Sequence, residues 1–209
     1  MKLNTIMLGV LLSGSVISAA MAQQTGTMNA GTAANKIGNE SMSEFDRQNK
    51  QGAAAVSAVS ATDKKLSQAD VQLMNEVAMG GMMQLEMSQF AVQKASNPQT
   101  KALAQAEVDE QTGLAAKLQE IASAKGVTLP TGPDAQAKTL LGKFGQVSGG
   151  AFDRLYITEC GVKGHEKLDK VMSKVESSAS DNDLKQLAKA AHPLVKTHLT
   201  VSRQVMKSM

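Results

Sequence analysis

Tryptophan is absent from this chain and tyrosine occurs once. Nucleobases would therefore find few aromatic platforms to stack on. No block of like charge supplies a phosphate-binding surface either: 22 basic and 19 acidic residues leave a formal net charge of +3. Nucleic acid is excluded as a partner class on both counts. Cysteine also occurs once, as Cys160, so no intramolecular disulfide can form. Its neighbours Glu159 and Gly161 offer neither a cation nor a second thiol to lower its pKa, and it reads as a small, inert, buried residue. The chain lacks a Gly-x-Ser-x-Gly nucleophile motif, and Gly142-Lys143 lacks the upstream glycine and the following hydroxyl of a phosphate loop. These absences leave no motif for a catalytic residue, and an enzymatic role is not expected. No segment alternates with a period of two, so strands are not expected either.

The N-terminus carries an export pattern. Met1-Lys2 is a short positive start, Ile6–Ala20 is apolar and uncharged, and Ala20-Met21-Ala22 places small residues where a signal peptidase reads them. Residues 1–22 are expected to be a cleaved signal peptide, and the mature protein to be periplasmic or secreted. No later run approaches the roughly 20 apolar residues that cross a bilayer, so no transmembrane segment is expected in the mature chain. Residues 23–66 are rich in Gln, Thr, Ala, Gly and Ser, with few large apolar side chains. Such a stretch buries too little surface to offset the entropy of ordering, and it reads as a disordered or weakly structured linker. Ser41–Asn49 has the makings of a short helical turn around Phe45.

Residues 67–207 read as one all-α domain. Ser67 and Asp70 have the spacing of a capping box. Val71, Met74, Val77, Ala78, Gly81 and Leu85 then recur at helical steps toward Ala95. Asn97-Pro98 is a cap followed by a favoured first helical residue, and the second helix is expected to run to Lys125, with Gly126 as its left-handed C-cap. A shorter helix from Pro133 to Val147 precedes a third long helix over about 151–177 and a fourth from the Ser180–Asp183 restart to Lys207. Pro193 predicts a kink or a break in the fourth helix.

The segments Gly80–Glu86, Ala95–Lys101, Gly126–Pro130 and Ser148–Tyr156, with His165 and His198, resemble the bacterial family of exported proteins called DUF4142, a domain of unknown function. The likeness runs from about Ser67 to Val205, and Phe152-Asp-Arg-Leu-Tyr156 is its most specific phrase. The resemblance implies a ferritin-like four-helix bundle with a short extra helix between helices two and three. The family usually carries an Asp-His pair in the second helix. Glu110-Gln111 stands in its place here.

Two groups of residues bear on function. Ferritin-like metal sites draw carboxylates and histidines from all four helices. This chain offers Glu86 in the first, Glu107 and Glu110 in the second, His165 in the third and His198 in the fourth. Glu107 and Glu110 are three apart, on the line of Leu103 and Leu114, and His198 lies between Leu194 and Val201 on an apolar stripe. Yet no Glu-x-x-His occurs. Two readings stand: core histidines satisfied by Glu or backbone partners, or a degenerate mononuclear site for Zn or Fe built from Glu86, Glu110, His165 and His198. The second group is Met79, Met83 and Met87, spaced by four, with Met82 beside them. Thioethers suit Cu(I), and a methionine surface also suits a protein partner or self-association. The sequence favours a non-enzymatic helical bundle without a required cofactor, with a partner-binding or envelope-stress role, its partner an envelope protein or a second copy of the chain. A metal-binding or redox domain using Fe, Zn or Cu is the alternative.

Overall fold

The computed structural model describes residues 35–132 and 135–209. The expected signal peptide, residues 1–22, and the linker as far as residue 34 lie outside the described residues. The fold is all-α. Apart from a two-residue hairpin, β1 (Lys36–Ile37) and β2 (Glu40–Ser41), the elements are α1 (Met42–Ser57), α2 (Gln68–Lys94), α3 (Pro98–Ala124), α4 (Ala135–Gly145), α5 (Gly149–Tyr156), α6 (His165–Ser178) and α7 (Asn182–Lys207). A π-helical stretch, Ile157–Gly164, joins α5 to α6 without a break. Each long helical segment packs against two others: α2 on α3 and α6, and α7 on α3 and α6. The short α4 sits against α2 and α5.

Local chemistry sets the ends of these helices. The Ser67 hydroxyl accepts from the Asp70 amide at 3.1 Å, and Asp70 also accepts from the Ser180 amide at 2.8 Å. One carboxylate thus closes the start of α2 and the turn between α6 and α7. Asp153 serves the other end, accepting from the backbone of Ser96 and Asn97. Gly126 has φ +71°, and the Val127 amide reaches back to the Ala122 carbonyl at 2.8 Å, the paired-bond ending that favours glycine. α7 runs through Pro193, so the break considered from sequence does not occur.

The stretch expected to be a disordered linker is ordered from residue 35 onward, which corrects that reading. α1 lies across α3 and α7. Phe45 and Val56 are buried, and Ser41 caps the helix by accepting from the Glu44 amide. Further along, Thr62 donates through its amide and hydroxyl to Asp183, and the enclosed Lys125 ammonium meets Asp181 at 2.9 Å and Asp183 at 2.8 Å. These contacts recover the ordering entropy through specific pairs rather than through bulk hydrophobic surface, which composition does not reveal.

The interior is two apolar clusters separated by a polar layer. One gathers Met74, Leu118, Ile121, Leu168, Met172 and Val195. The other gathers Phe45, Met87, Leu103, Phe144, Phe152 and Tyr156. At roughly 1.5–3 kcal/mol per fully buried large side chain, these clusters hold the helices in register. Between them, at the middle of the long helices, lie Gln84, Glu107, Glu110, Gln111, His165 and His198, none more than 6% exposed.

Candidate metal centre

Placing two carboxylates and two imidazoles in an apolar interior is costly unless they are paired or bind a cation. Glu107 and Glu110 come from one face of α3, one turn inward from Leu103. His165 is the first residue of α6, and His198 lies midway along α7. One ligand-type atom from each converges so that all four lie within 4.8 Å of one another. His165 Nε2 is 2.5 Å from Glu107 Oε1, and His198 Nδ1 contacts the same oxygen. Glu110 Oε2 is 2.8 Å from His198 Nδ1.

The outer nitrogens decide what the inner ones do. His165 Nδ1 lies 2.9 Å from the Cys160 carbonyl, which accepts only, so this nitrogen carries a proton. Gln84 Nε2 donates to the same carbonyl at 3.1 Å. The π-helical stretch holds that carbonyl in place. It passes close to its neighbours because Gly161 and Gly164 have no side chain: a Cβ there would lie 2.8 Å from Ser202 Oγ and 2.6 Å from Gln84 Oε1. On His198, Nε2 faces Asn49 Oδ1 at 2.6 Å. The Asn49 amide nitrogen is committed to the Phe45 carbonyl at 2.8 Å, so Oδ1 accepts from the ring. Both imidazoles therefore have their outer N–H engaged and aim the inner nitrogen at carboxylate oxygens. This is the arrangement that orients histidines on metals.

A bare lone pair facing a carboxylate oxygen is repulsive, so the inner positions must hold either protons or a cation. Without a cation, protons fill them. Burial disfavours the charged form of His198, but the charges of Glu110 and Glu107 outweigh it and its pKa is pushed up to about 10. His165 is also raised: burial opposes its charge, and the Glu107 carboxylate overcomes it. Burial works to raise Glu107, yet the two histidine charges and their hydrogen bonds hold it well below the usual carboxylate range. Glu110 goes the other way, pushed up mainly by burial, with the Glu107 charge adding to it against the pull of His198. Glu107 Oε2 is buried without a hydrogen-bond partner. A buried carboxylate oxygen left without a donor suits coordination to a cation.

The donor set, two imidazole nitrogens and two carboxylate oxygens, suits Zn(II), Fe(II) or Mn(II). A tetrahedral ion with bonds of 2.0–2.2 Å separates its ligands by roughly 3.4 Å. To accept it, the 2.5 Å contact of His165 with Glu107 opens by roughly 0.9 Å and the 2.8 Å contact of His198 with Glu110 by roughly 0.6 Å. Sulfur takes no part: burial, with the Glu107 charge adding, keeps the Cys160 thiol well above its ordinary pKa and hence protonated.

Of the five acid and histidine candidates read from sequence, the structure brings four together and leaves Glu86 out. Glu86 is half-buried and outside the cluster, while Gln84, two residues earlier, faces the centre. Glu107 occupies the place that the mononuclear reading gave to Glu86. The methionine face also requires correction. Met87 is fully enclosed among the aromatic residues of the second cluster, and Met83 lines a surface groove with Leu140 and Lys143, so the three thioethers do not form one accessible face. Sequence reasoning missed Gln84, Asn49 and the Cys160 carbonyl. Gln84 carried a signal: it is a polar residue on the line of Val77 and Gly81.

A family model described as a domain of unknown function, DUF4142, matches residues 55–205. No curated protein and no solved structure matches the chain.

Proposed function

The chain belongs to the DUF4142 family, and from that premise and the convergence in its interior we propose that it is a non-enzymatic metal-binding protein of ferritin-like fold, holding one Zn(II), Fe(II) or Mn(II) ion between Glu107, Glu110, His165 and His198. The observation that carries the reading is the pair of histidines whose outer N–H groups are engaged while their inner nitrogens converge on two buried carboxylates, one of which keeps an oxygen without a donor. The ferritin-like assignment is supported by four long segments each packed on two others, with a connection carrying α4 between the second and third. All four ligand residues are at most 6% exposed. A site closed in this way suits holding an ion rather than turning over substrate at an open coordination position.

The pattern in residues 1–22 supports export, so the working compartment in this proposal is the periplasm or the outside of the cell. Among the described residues no helix is long and apolar enough to cross a membrane. A role in binding an envelope partner drew on the absence of catalytic motifs and on Gln111 standing where the family has histidine, with the surface or the methionine-rich helix as the contact. The enclosure of Met87 removes part of that support, so the metal reading takes precedence.

The test is metal analysis of the protein purified from its native compartment without chelators. The expected result is close to one equivalent of a single transition metal, lost in a His165→Ala/His198→Ala variant that remains helical by circular dichroism. A metal-free protein that also takes up none of the three ions at micromolar concentration contradicts the proposal.

A further inference from the structure

We propose that Asn49, carried on α1, is the positioning residue that determines which nitrogen of His198 is left to hold the ion. The inference rests on the metal reading above and adds to it a component outside the segment that the family model matches, since that segment begins at residue 55.

An imidazole can present either nitrogen to a metal, and the hydrogen bond at the other nitrogen decides which. For His165 the decision is made within its own helical segment, by the Cys160 carbonyl five residues earlier. His198 has no such partner on α7. Its outer nitrogen meets Asn49 Oδ1 at 2.6 Å, across 149 residues of sequence. Because the Asn49 NH2 group is held by the Phe45 carbonyl at 2.8 Å, the amide cannot turn to present a donor without losing that bond. Nε2 must then keep its proton whether or not an ion is present. Nδ1, beside Glu107 and Glu110, is the nitrogen left to coordinate.

α1 is shaped for this task. Phe45, Asn49, Gly52 and Val56 follow at steps of four, three and four and so share one face. Phe45 rests against the His198 ring at 5.4 Å between centroids. Gly52 allows the close approach: a Cβ there would lie 2.7 Å from Leu194 Cδ2 and 3.1 Å from Leu194 Cβ, one turn before His198. With only Phe45 and Val56 fully buried, α1 brings little apolar surface of its own. Its distinctive contribution is the contact with the centre.

The experiment compares Zn(II) affinity, by competition with a chromophoric chelator, for the full chain and for Asn49→Leu and Asn49→Asp. The leucine removes the acceptor at similar volume, and the aspartate keeps an acceptor oxygen. Asn49→Leu is expected to weaken Zn(II) binding by roughly 10–100-fold, and Asn49→Asp to match or exceed the original affinity. In the Zn(II)-loaded protein, ring 15N shifts are expected to place the metal on Nδ1 of His198, and to show mixed nitrogens in Asn49→Leu. Should Asn49→Leu lose its fold, Gly52→Ala provides the second route, because it lifts α1 from Leu194 with Asn49 intact; it is expected to weaken binding as well. Wild-type affinity in Asn49→Leu or, where that variant does not fold, in Gly52→Ala overturns this inference and leaves the metal reading standing. Equal losses in the leucine and aspartate variants also overturn it, since they mark a merely structural contact. An original protein that binds no Zn(II), Fe(II) or Mn(II) overturns the metal reading and this inference with it.

Discussion

Glu107→Ala is expected to destabilise the metal-free protein by about 3–5 kcal/mol, whereas replacing all four centre residues by leucine is expected to leave it as stable or more stable, by up to about 4 kcal/mol. The two outcomes have one physical origin. Glu107 Oε1 is the common partner of His165 Nε2 and His198 Nδ1, and Glu107 is 1% exposed. Removing it alone strands two imidazoles in an apolar interior. They must shed their protons or remain as charges with Glu110 as the only remaining carboxylate, and the missing side chain leaves a cavity besides. Removing all four takes away the ionisable groups together with the desolvation penalty each one carries, a larger gain than the loss of the Asn49 and Gln111 hydrogen bonds to His198 and Glu110. The replaced layer then continues the apolar clusters above and below it. Urea unfolding checks both: the midpoint should fall in the single variant with little change in slope, and should hold or rise in the quadruple variant. A quadruple variant much less stable than the original would mean that the layer is retained for stability, and would weaken the functional argument.

The second large effect is on pH dependence, which should differ between the metal-free and metal-bound forms. His198 is raised to about 10 in the folded chain, against roughly 6.5 when unfolded, and His165 is raised as well. The folded state therefore binds protons more tightly than the unfolded state. That contribution is fully present below about pH 6.5 and is lost as pH climbs toward 10. Glu110, raised by burial, acts in the same sense from lower pH upward, and Glu107, held low, acts oppositely and only at the acid end. The metal-free protein should thus lose melting temperature steadily on the alkaline side. An ion displaces the protons of both histidines, so its apparent affinity rises across the same interval. The difference in melting temperature between zinc-loaded and chelator-treated protein should widen as pH increases above about 6.5. A metal-free melting temperature that stays flat or rises over that range would show that the histidines do not carry the protons assigned to them.

Much of the architecture was legible because long helices leave strong periodic marks. The Asn97-Pro98 start, the Gly126 ending and the short helix before Ser148 each rest on a residue whose backbone preferences are narrow. The acid and histidine pairs were visible for a related reason, since Glu107, Glu110 and His198 interrupt lines of leucine and valine. Glu86 was misplaced because a one-dimensional pattern does not tell which flank of a helix faces the middle of a bundle. Gln84 and Glu86 are two residues apart and so lie on opposite sides of α2. Of α1 only the turn around Phe45 was legible, for a different reason. Its inward face reads Phe45, Asn49, Gly52, Val56, and only two of the four are apolar, so hydrophobic periodicity fades where the contact is a hydrogen bond and a close backbone approach. The π-helical stretch had no signal in the apolar pattern either. Its glycines, Gly161 and Gly164, look like helix weakeners in sequence and turn out to admit Ser202 and Gln84.

The central claim is that the polar layer is a place for an ion, and anomalous diffraction tests it most directly. Crystals of the protein grown with Zn(II) and measured on either side of the zinc edge should show one anomalous peak inside the bundle, about 2.0–2.2 Å from His165 Nε2, His198 Nδ1 and an oxygen each of Glu107 and Glu110. A well-ordered crystal with no peak between these residues, or with zinc only at surface carboxylates, would contradict the account.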